Sequence, residues 1–216
     1  MSRCRVLLVD DHPVFRFGLR RVVESVPQFE CAGEAADAPT ARRLLAEVVV
    51  DLVTVDLRLA RGSGLDLIAA IRAQYPHVRM LVLSMTDPVI FAPRAILAGA
   101  HGFVSKGASA EEIIASLRAV ARGEQVLPSG VEARIVAPVA GTSREDLARL
   151  SNRELEVFAW LGRGASTAAI AAALGVSPKT IETHRASVAR KLGLRGTASL
   201  VRAAVASLGD ETSGMH

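Results

Sequence analysis

Asp51-Leu-Val-Thr-Val-Asp56-Leu-Arg-Leu-Ala-Arg-Gly-Ser-Gly64 decides how the rest of the chain is read. Leu52 to Val55 is short and rich in β-branched residues, as in a strand buried on both faces. It stops at a carboxylate, Asp56, and runs into a glycine-containing loop. A charge at the end of a buried strand is costly unless something neutralises or uses it. In open α/β sheets the carboxyl edge of the strands is also where ligands bind.

Working outward, five apolar runs recur: Val6–Val9, Phe29–Gly33, Leu52–Val55, Met80–Ser84 and Gly102–Ser105. Amphipathic patterns near 14–26, 39–48, 65–74, 93–98 and 110–122 separate them. This alternation predicts an α/β domain over 1–125, a doubly wound parallel sheet of five strands with helices on both faces. The segment is too short for a barrel of eight βα units.

Several of these runs end in polar groups: Asp10-Asp11, Asp56, Ser84 and Ser105-Lys106. Parallel strands carry such ends to one edge, where three carboxylates, a hydroxyl and a lysine converge. Taken singly, Asp11 reads as an N-cap for a helix opened by Pro13, Ser84 as a loop hydroxyl and Lys106 as a solvated charge. Together they need a common explanation. Clustered carboxylates repel, and a hard divalent cation such as Mg²⁺ relieves that conflict with oxygen ligands. Phosphoryl transfer needs positioning and charge neutralisation, which a metal on one side and a lysine and hydroxyl on the other supply. Asp56 is then the nucleophile that forms an aspartyl phosphate.

Val-Leu-Leu-Val-Asp10-Asp11-His-Pro-Val-Phe-Arg-Phe-Gly-Leu-Arg resembles the opening of a response-regulator receiver domain of the NarL/FixJ group. The likeness continues through Asp56, Gly64, Leu-Val-Leu-Ser84 and Gly99-Ala-His-Gly-Phe103-Val-Ser-Lys106, and covers residues 3–122. It implies a flavodoxin-like receiver with Asp56 as phosphoacceptor. It also implies Mg²⁺ held by Asp11, Asp56 and the Arg58 carbonyl, with Asp10 acting through water. Ser84 and Lys106 contact the phosphoryl group, and Phe103 holds the place of the aromatic that changes rotamer on activation. The chain departs from the family in having Leu59-Ala60 where Met-Pro is usual, a change that predicts a looser loop. Arg58 adds a cation beside the site, and Met85 is bulky where a small residue usually follows the switch hydroxyl. Pro93 falls inside the usual fourth helix, which predicts a helix starting near Pro93 after a long loop 85–92.

Gly123, Pro128, Gly130, Pro138 and Gly141 punctuate the next stretch, read as a linker over 126–147 with a short helix around Ser129–Val136. Beyond it the chain reads as helical. Ser151-Asn-Arg-Glu154 is a capping box, Ser166 caps a second helix ending before Gly175, and Ser177-Pro178 opens a third. A fourth runs from Thr197 to Leu208, and 209–216 is a tail. Ala171, Gly175 and Ile181 have the spacing that packs two helices across a tight turn. Residues 151–208 carry 8 Lys/Arg against 3 Asp/Glu, whereas residues 1–125 carry 15 against 14. The basic excess therefore lies in the helical part, as expected where a polyanion binds.

The stretch from Leu150-Ser-Asn-Arg-Glu154 through Ile170-Ala-Ala-Ala-Leu-Gly-Val-Ser-Pro-Lys-Thr-Ile-Glu-Thr-His-Arg185 to Lys191-Leu-Gly-Leu resembles a LuxR-type helix-turn-helix domain, a likeness that covers about 148–208 of a domain taken as 148–216. By position, Glu182, Thr183 and Ala186 face base edges, while Lys179, Thr180, Arg185, Arg190 and Lys191 lie near phosphates. Glu182 either accepts from a cytosine amino group or excludes wrong bases. Val201 and Val205 match positions of dimer contacts, and His184 packs.

No run is long and apolar enough to span a bilayer, and the amino terminus does not fit a secretory signal. Cys4 and Cys31 read as reduced structural thiols. The expected protein is a cytoplasmic two-component response regulator, phosphorylated by a sensor histidine kinase, that dimerises on double-stranded DNA. An aspartyl-phosphate phosphatase would want a general acid two residues after the nucleophile, a role Arg58 cannot fill. The remaining alternative is a phosphorylation-independent DNA-binding regulator with an atypical receiver.

Overall fold

In the computed structural model, which describes residues 3–128, 147 and 149–208, the apolar runs of the first half become parallel strands. These are β1 (Cys4–Val9), β2 (Phe29–Ala35), β3 (Leu52–Val55), β4 (Arg79–Ser84) and β5 (Gly102–Ser105), in the order β2-β1-β3-β4-β5. Sequence order reverses between β1 and β3, so a crevice opens at their carboxyl ends, where Asp10 and Asp56 stand. The connecting helices are α1 (Pro13–Glu24), α2 (Ala38–Glu47), α3 (Gly64–Gln74), α4 (Pro88–Ala98) and α5 (Ala110–Ala121).

Side chains alternate across the sheet, and each set finds its own helices. Val6, Leu8, Leu52, Leu81, Leu83 and Val104 meet Leu19 and Val23 of α1 and Ile113, Leu117 and Val120 of α5. Thr54 follows Leu52 on that side of β3, and its Oγ1 is buried without a hydrogen bond. An unpaired buried hydroxyl is a liability that an apolar group of similar shape removes. Thr54→Val should therefore raise stability by about 1 kcal/mol. A urea midpoint at or below that of the wild type would contradict this.

The fourth helix does not start at Pro93. It runs from Pro88 to Ala98, with the Asp87 carboxylate accepting from Val89 N at 2.9 Å and Pro88 in the first turn. Pro93 lies just beyond that turn, so its missing N–H forfeits a single bond, to the Val89 carbonyl. Capping at Asp87 and burial of Phe91, Ala92 and Ala95 outweigh that loss. At the start of α1 the cap position falls to His12, which makes no side-chain cap bond, so Asp11 is not the N-cap.

The sheet also reaches past residue 125. Phe103 N donates to Val126 O at 2.9 Å and Val126 N to His101 O at 3.1 Å, adding one residue to the β5 edge. The short helix expected around Ser129–Val136 lies outside the described residues, as does most of the linker.

The chain divides into two compact units, Met1–Glu132 and Ala133–His216. The second is built from α6 (Asn152–Gly162), α7 (Thr167–Leu174), α8 (Pro178–Lys191) and α9 (Thr197–Leu208). Ser151 and Glu154 form the expected capping box, and Ser166 and Ser177 cap α7 and α8. Gly175 turns the chain between α7 and α8 at φ 63°, a left-handed conformation that needs no Cβ. Leu155, Phe158, Ile170, Leu174, Ile181, Val188 and Leu200 fill the core. Among the described residues, no helix is long and apolar enough to cross a membrane.

Candidate functional site

Backbone hydrogen bonds carry the sheet pattern one residue beyond the strands and fix the polar ends. Asp10 N donates to Ala35 O, Asp56 N to Val9 O and Lys106 N to Ser84 O, each within 3.0 Å. The side chains then meet. Lys106 Nζ lies 2.5 Å from Asp56 Oδ2 and 2.7 Å from Asp10 Oδ2, and its side chain is 4% exposed. Ser84 Oγ donates to Asp56 Oδ1 at 2.9 Å, and Arg58 N donates to the same oxygen at 3.1 Å. Asp10, Asp56 and Ser84 are all buried. A buried carboxylate is tolerable only when paired, and here one ammonium serves two of them.

Asp11 stands nearer to solvent. Its Oδ1 is buried and makes no hydrogen bond, although His12 Nδ1 lies 2.8 Å away in an ion-pair contact. Ligand atoms of Asp10, Asp11, His12 and Asp56 all fall within 4.8 Å of one another. Three carboxylates with an unsatisfied buried oxygen suit a hard divalent cation. His12 is a member of this cluster that sequence reading overlooked, and Phe15, whose ring sits 4.8 Å from the Lys106 ammonium, is a neighbour of the site that it also overlooked. Both are legible afterwards as the first and fourth residues after the acidic pair.

Phe103 is buried on β5. The loop after Asp56 closes without the usual Met-Pro: Arg58 bridges to Ser63, Gly64 N donates to Leu57 O at 3.2 Å, and Ala38 N to Arg61 O at 3.2 Å. Met85 points into solvent.

On α8 of the second unit, Lys179, Glu182, Thr183, Ala186 and Arg190 are exposed, while Ile181 and Val188 face the core. Thr180 is half-buried and its hydroxyl meets that of Ser177 at 2.8 Å. Two of the expected phosphate contacts have tertiary partners. Arg185 Nη1 donates to Thr167 Oγ1 at 2.7 Å, and Lys191 Nζ to Glu154 Oε2 at 2.6 Å. Glu154 also accepts from Ser187 Oγ at 2.7 Å and Ser151 N at 2.7 Å. Burial alone would raise its pKa, but the Lys191 ammonium and these donors outweigh burial and hold it down at about 2. On α9, Val201 is half-buried and Val205 exposed.

A doubly wound sheet with an acidic crevice, in one chain with a basic helix-turn-helix unit, defines a regulatory protein that couples a chemical signal to DNA. Comparison with known proteins agrees. Residues 6–118 match the response regulator receiver domain family, and residues 148–204 match the bacterial regulatory proteins of the luxR family. The transcriptional regulatory protein MctR of Rhizobium johnstonii is 33% identical over 203 residues, 94% of either chain. The nitrate/nitrite response regulator protein NarP of Escherichia coli is 31% identical over 192 residues, 88% of this chain and 89% of that one. A structure of RcsB from Salmonella enterica serovar Typhimurium, bound to promoter rprA in the presence of phosphomimetic BeF₃⁻, is similar at TM-score 0.60 and 25% identity. That similarity covers 94% of this chain and 99% of RcsB. The chain belongs to the NarL/FixJ family of two-component response regulators, DNA-binding regulators of transcription with a receiver and a LuxR-type domain.

Proposed function

We propose that Asp56 is the phosphoacceptor and that its phosphorylation controls dimerisation and promoter binding by the LuxR-type domain. The observation that carries this is the Lys106 ammonium held between Asp10 and Asp56 while Ser84 holds the other Asp56 oxygen. Asp56 Oδ2 attacks the phosphorus of a phosphohistidine on a sensor kinase, or of a small phosphodonor, and the donor leaves. Ser84 and Lys106 are in reach of the new phosphoryl oxygens. Asp10, Asp11, Asp56 and the Arg58 carbonyl would hold Mg²⁺, which supplies neutralisation of the oxygens' charge. The chain is thus a stoichiometric acceptor rather than an enzyme, acting in the cytoplasm.

Phosphate shifts a population only by interacting differently with two receiver states, and Ser84 and Phe103 carry that difference. The active form is a homodimer on double-stranded DNA, with Val201 and Val205 at its contact. Glu182, Thr183 and Ala186 read base edges, and Lys179, Thr180, Arg185, Arg190 and Lys191 lie along phosphates.

Operator binding and dimerisation, measured with and without beryllofluoride and Mg²⁺, test this. Both should strengthen in wild type and neither in Asp56→Asn. A wild type that binds DNA but ignores beryllofluoride would favour a phosphorylation-independent regulator. Lys179→Ala should weaken all DNA sequences alike and reduce the salt dependence by about one phosphate contact. An unchanged salt slope would remove Lys179 from the interface.

A further inference from the structure

The Ser84 hydroxyl is fully buried, with one proton to donate and two lone pairs to satisfy. Its proton goes to Asp56 Oδ1. Its oxygen accepts from Thr86 twice, from the hydroxyl at 3.2 Å and from the backbone N–H at 3.4 Å. Met85, between them, points into solvent and takes no part. Thr86 is also the residue before Asp87, the cap of α4.

We propose that Thr86 is a positioning residue for phosphoryl transfer at Asp56, holding the Ser84 proton on the acceptor through a Thr86–Ser84–Asp56 hydrogen-bond chain. A serine hydroxyl turns among three staggered wells about Cα–Cβ, and its proton turns freely about Cβ–Oγ. Donors on both lone pairs leave the proton a single direction, toward Asp56. A proton held on Asp56 Oδ1 fixes the carboxylate, so the attacking Oδ2 is already in place when the phosphodonor arrives. Donation into Ser84 Oγ also polarises the hydroxyl and strengthens what it donates in turn. Without the Thr86 hydroxyl, Ser84 keeps its place and the longer backbone bond but loses the shorter of the two donors that fix its direction. The proposal rests on the reading of Asp56 as phosphoacceptor and of Ser84 as its phosphoryl contact.

Beryllofluoride with Mg²⁺, added to the full chain, serves as probe, with affinity measured by titration and hydrogen bonding by the ¹⁹F spectrum of the bound group. Thr86→Val should weaken binding about five- to tenfold, the worth of one hydrogen bond, and shift the resonance of the fluorine facing Ser84. Thr86→Ser, which keeps the hydroxyl, should restore both. Thr86→Ala replaces Thr86→Val should valine disturb the fold, as judged by its urea midpoint. Wild-type affinity and spectrum in Thr86→Val overturn the proposal. So does a Thr86→Ser protein no better than Thr86→Val, because the effect would then follow bulk rather than the hydroxyl. Failure of wild type to bind beryllofluoride overturns the reading of Asp56 itself.

Discussion

Gly64→Ala is expected to cost the receiver unit about 3 kcal/mol or more and to lower beryllofluoride affinity at least about tenfold. The reason is contact, not backbone conformation. A Cβ on Gly64 would stand 2.2 Å from Asp56 O, 2.6 Å from Leu57 Cα and 3.0 Å from the Asp56 carbonyl carbon. All three are main-chain atoms, which cannot swing aside as the end of a side chain can. The loop between β3 and α3 is pinned by Gly64 N to Leu57 O and by the Arg58–Ser63 bridge, so relief must come from moving Asp56. A carboxylate held by Ser84 at 2.9 Å and Lys106 at 2.5 Å has little room to move without losing one of them. Gly18→Ala supplies the control. A Cβ there meets nothing within 4 Å, and the residue lies inside α1, so alanine should stabilise by about 0.5–1 kcal/mol. Urea unfolding of the two variants decides the matter, and equal midpoints would show that the glycine is not needed for close approach.

The crevice was legible in the sequence because a parallel sheet turns strand ends into neighbours. Once Val6–Val9, Leu52–Val55 and the later runs were read as strands, Asp10, Asp56, Ser84 and Lys106 had to share an edge. The side-chain partners beyond that edge were not legible. Thr86 bonds Ser84 because a loop curls back, and loop shape has no period to read. Pro93 signals a break only against an average helix interior; the cap at Asp87-Pro88 lets the helix begin five residues earlier. Lys191 shows the same limit in the second unit. The LuxR-type resemblance places it near phosphates, and in the fold its ammonium also binds Glu154 from α6, more than thirty residues back. Periodicity places a residue on a face, but it does not say which distant charge will arrive there.

That ion pair makes the LuxR-type domain sensitive to acid in a defined window. Glu154 titrates near 4.5 in the unfolded chain and is held at about 2 in the fold. Between those values the unfolded state binds more protons, so stability rises with pH. The contribution is fully present above about pH 4.5 and is lost as pH falls to about 2, amounting to at most about 3 kcal/mol at 1.36 kcal/mol per unit. Trp160, the single tryptophan, lies on α6 and reports unfolding of this unit by fluorescence. Urea unfolding followed at Trp160 from pH 7 to pH 2.5 should show a loss in wild type that is flattened in Glu154→Gln, other carboxylates titrating alike in both. At pH 7 Glu154→Ala should cost about 2–3 kcal/mol, because Lys191 and Ser187 lose their acceptor and the capping box its second half. Lys191→Met in the Glu154→Ala background should then add little, since the partner is already gone. Parallel pH curves for wild type and Glu154→Gln would mean that the carboxylate is not held by Lys191 in solution. The lysine would then be free to serve DNA phosphate alone. A steep acid loss in wild type instead assigns Lys191 first to the fold, and leaves Lys179 and Arg190, exposed on α8, to carry more of the salt dependence of DNA binding.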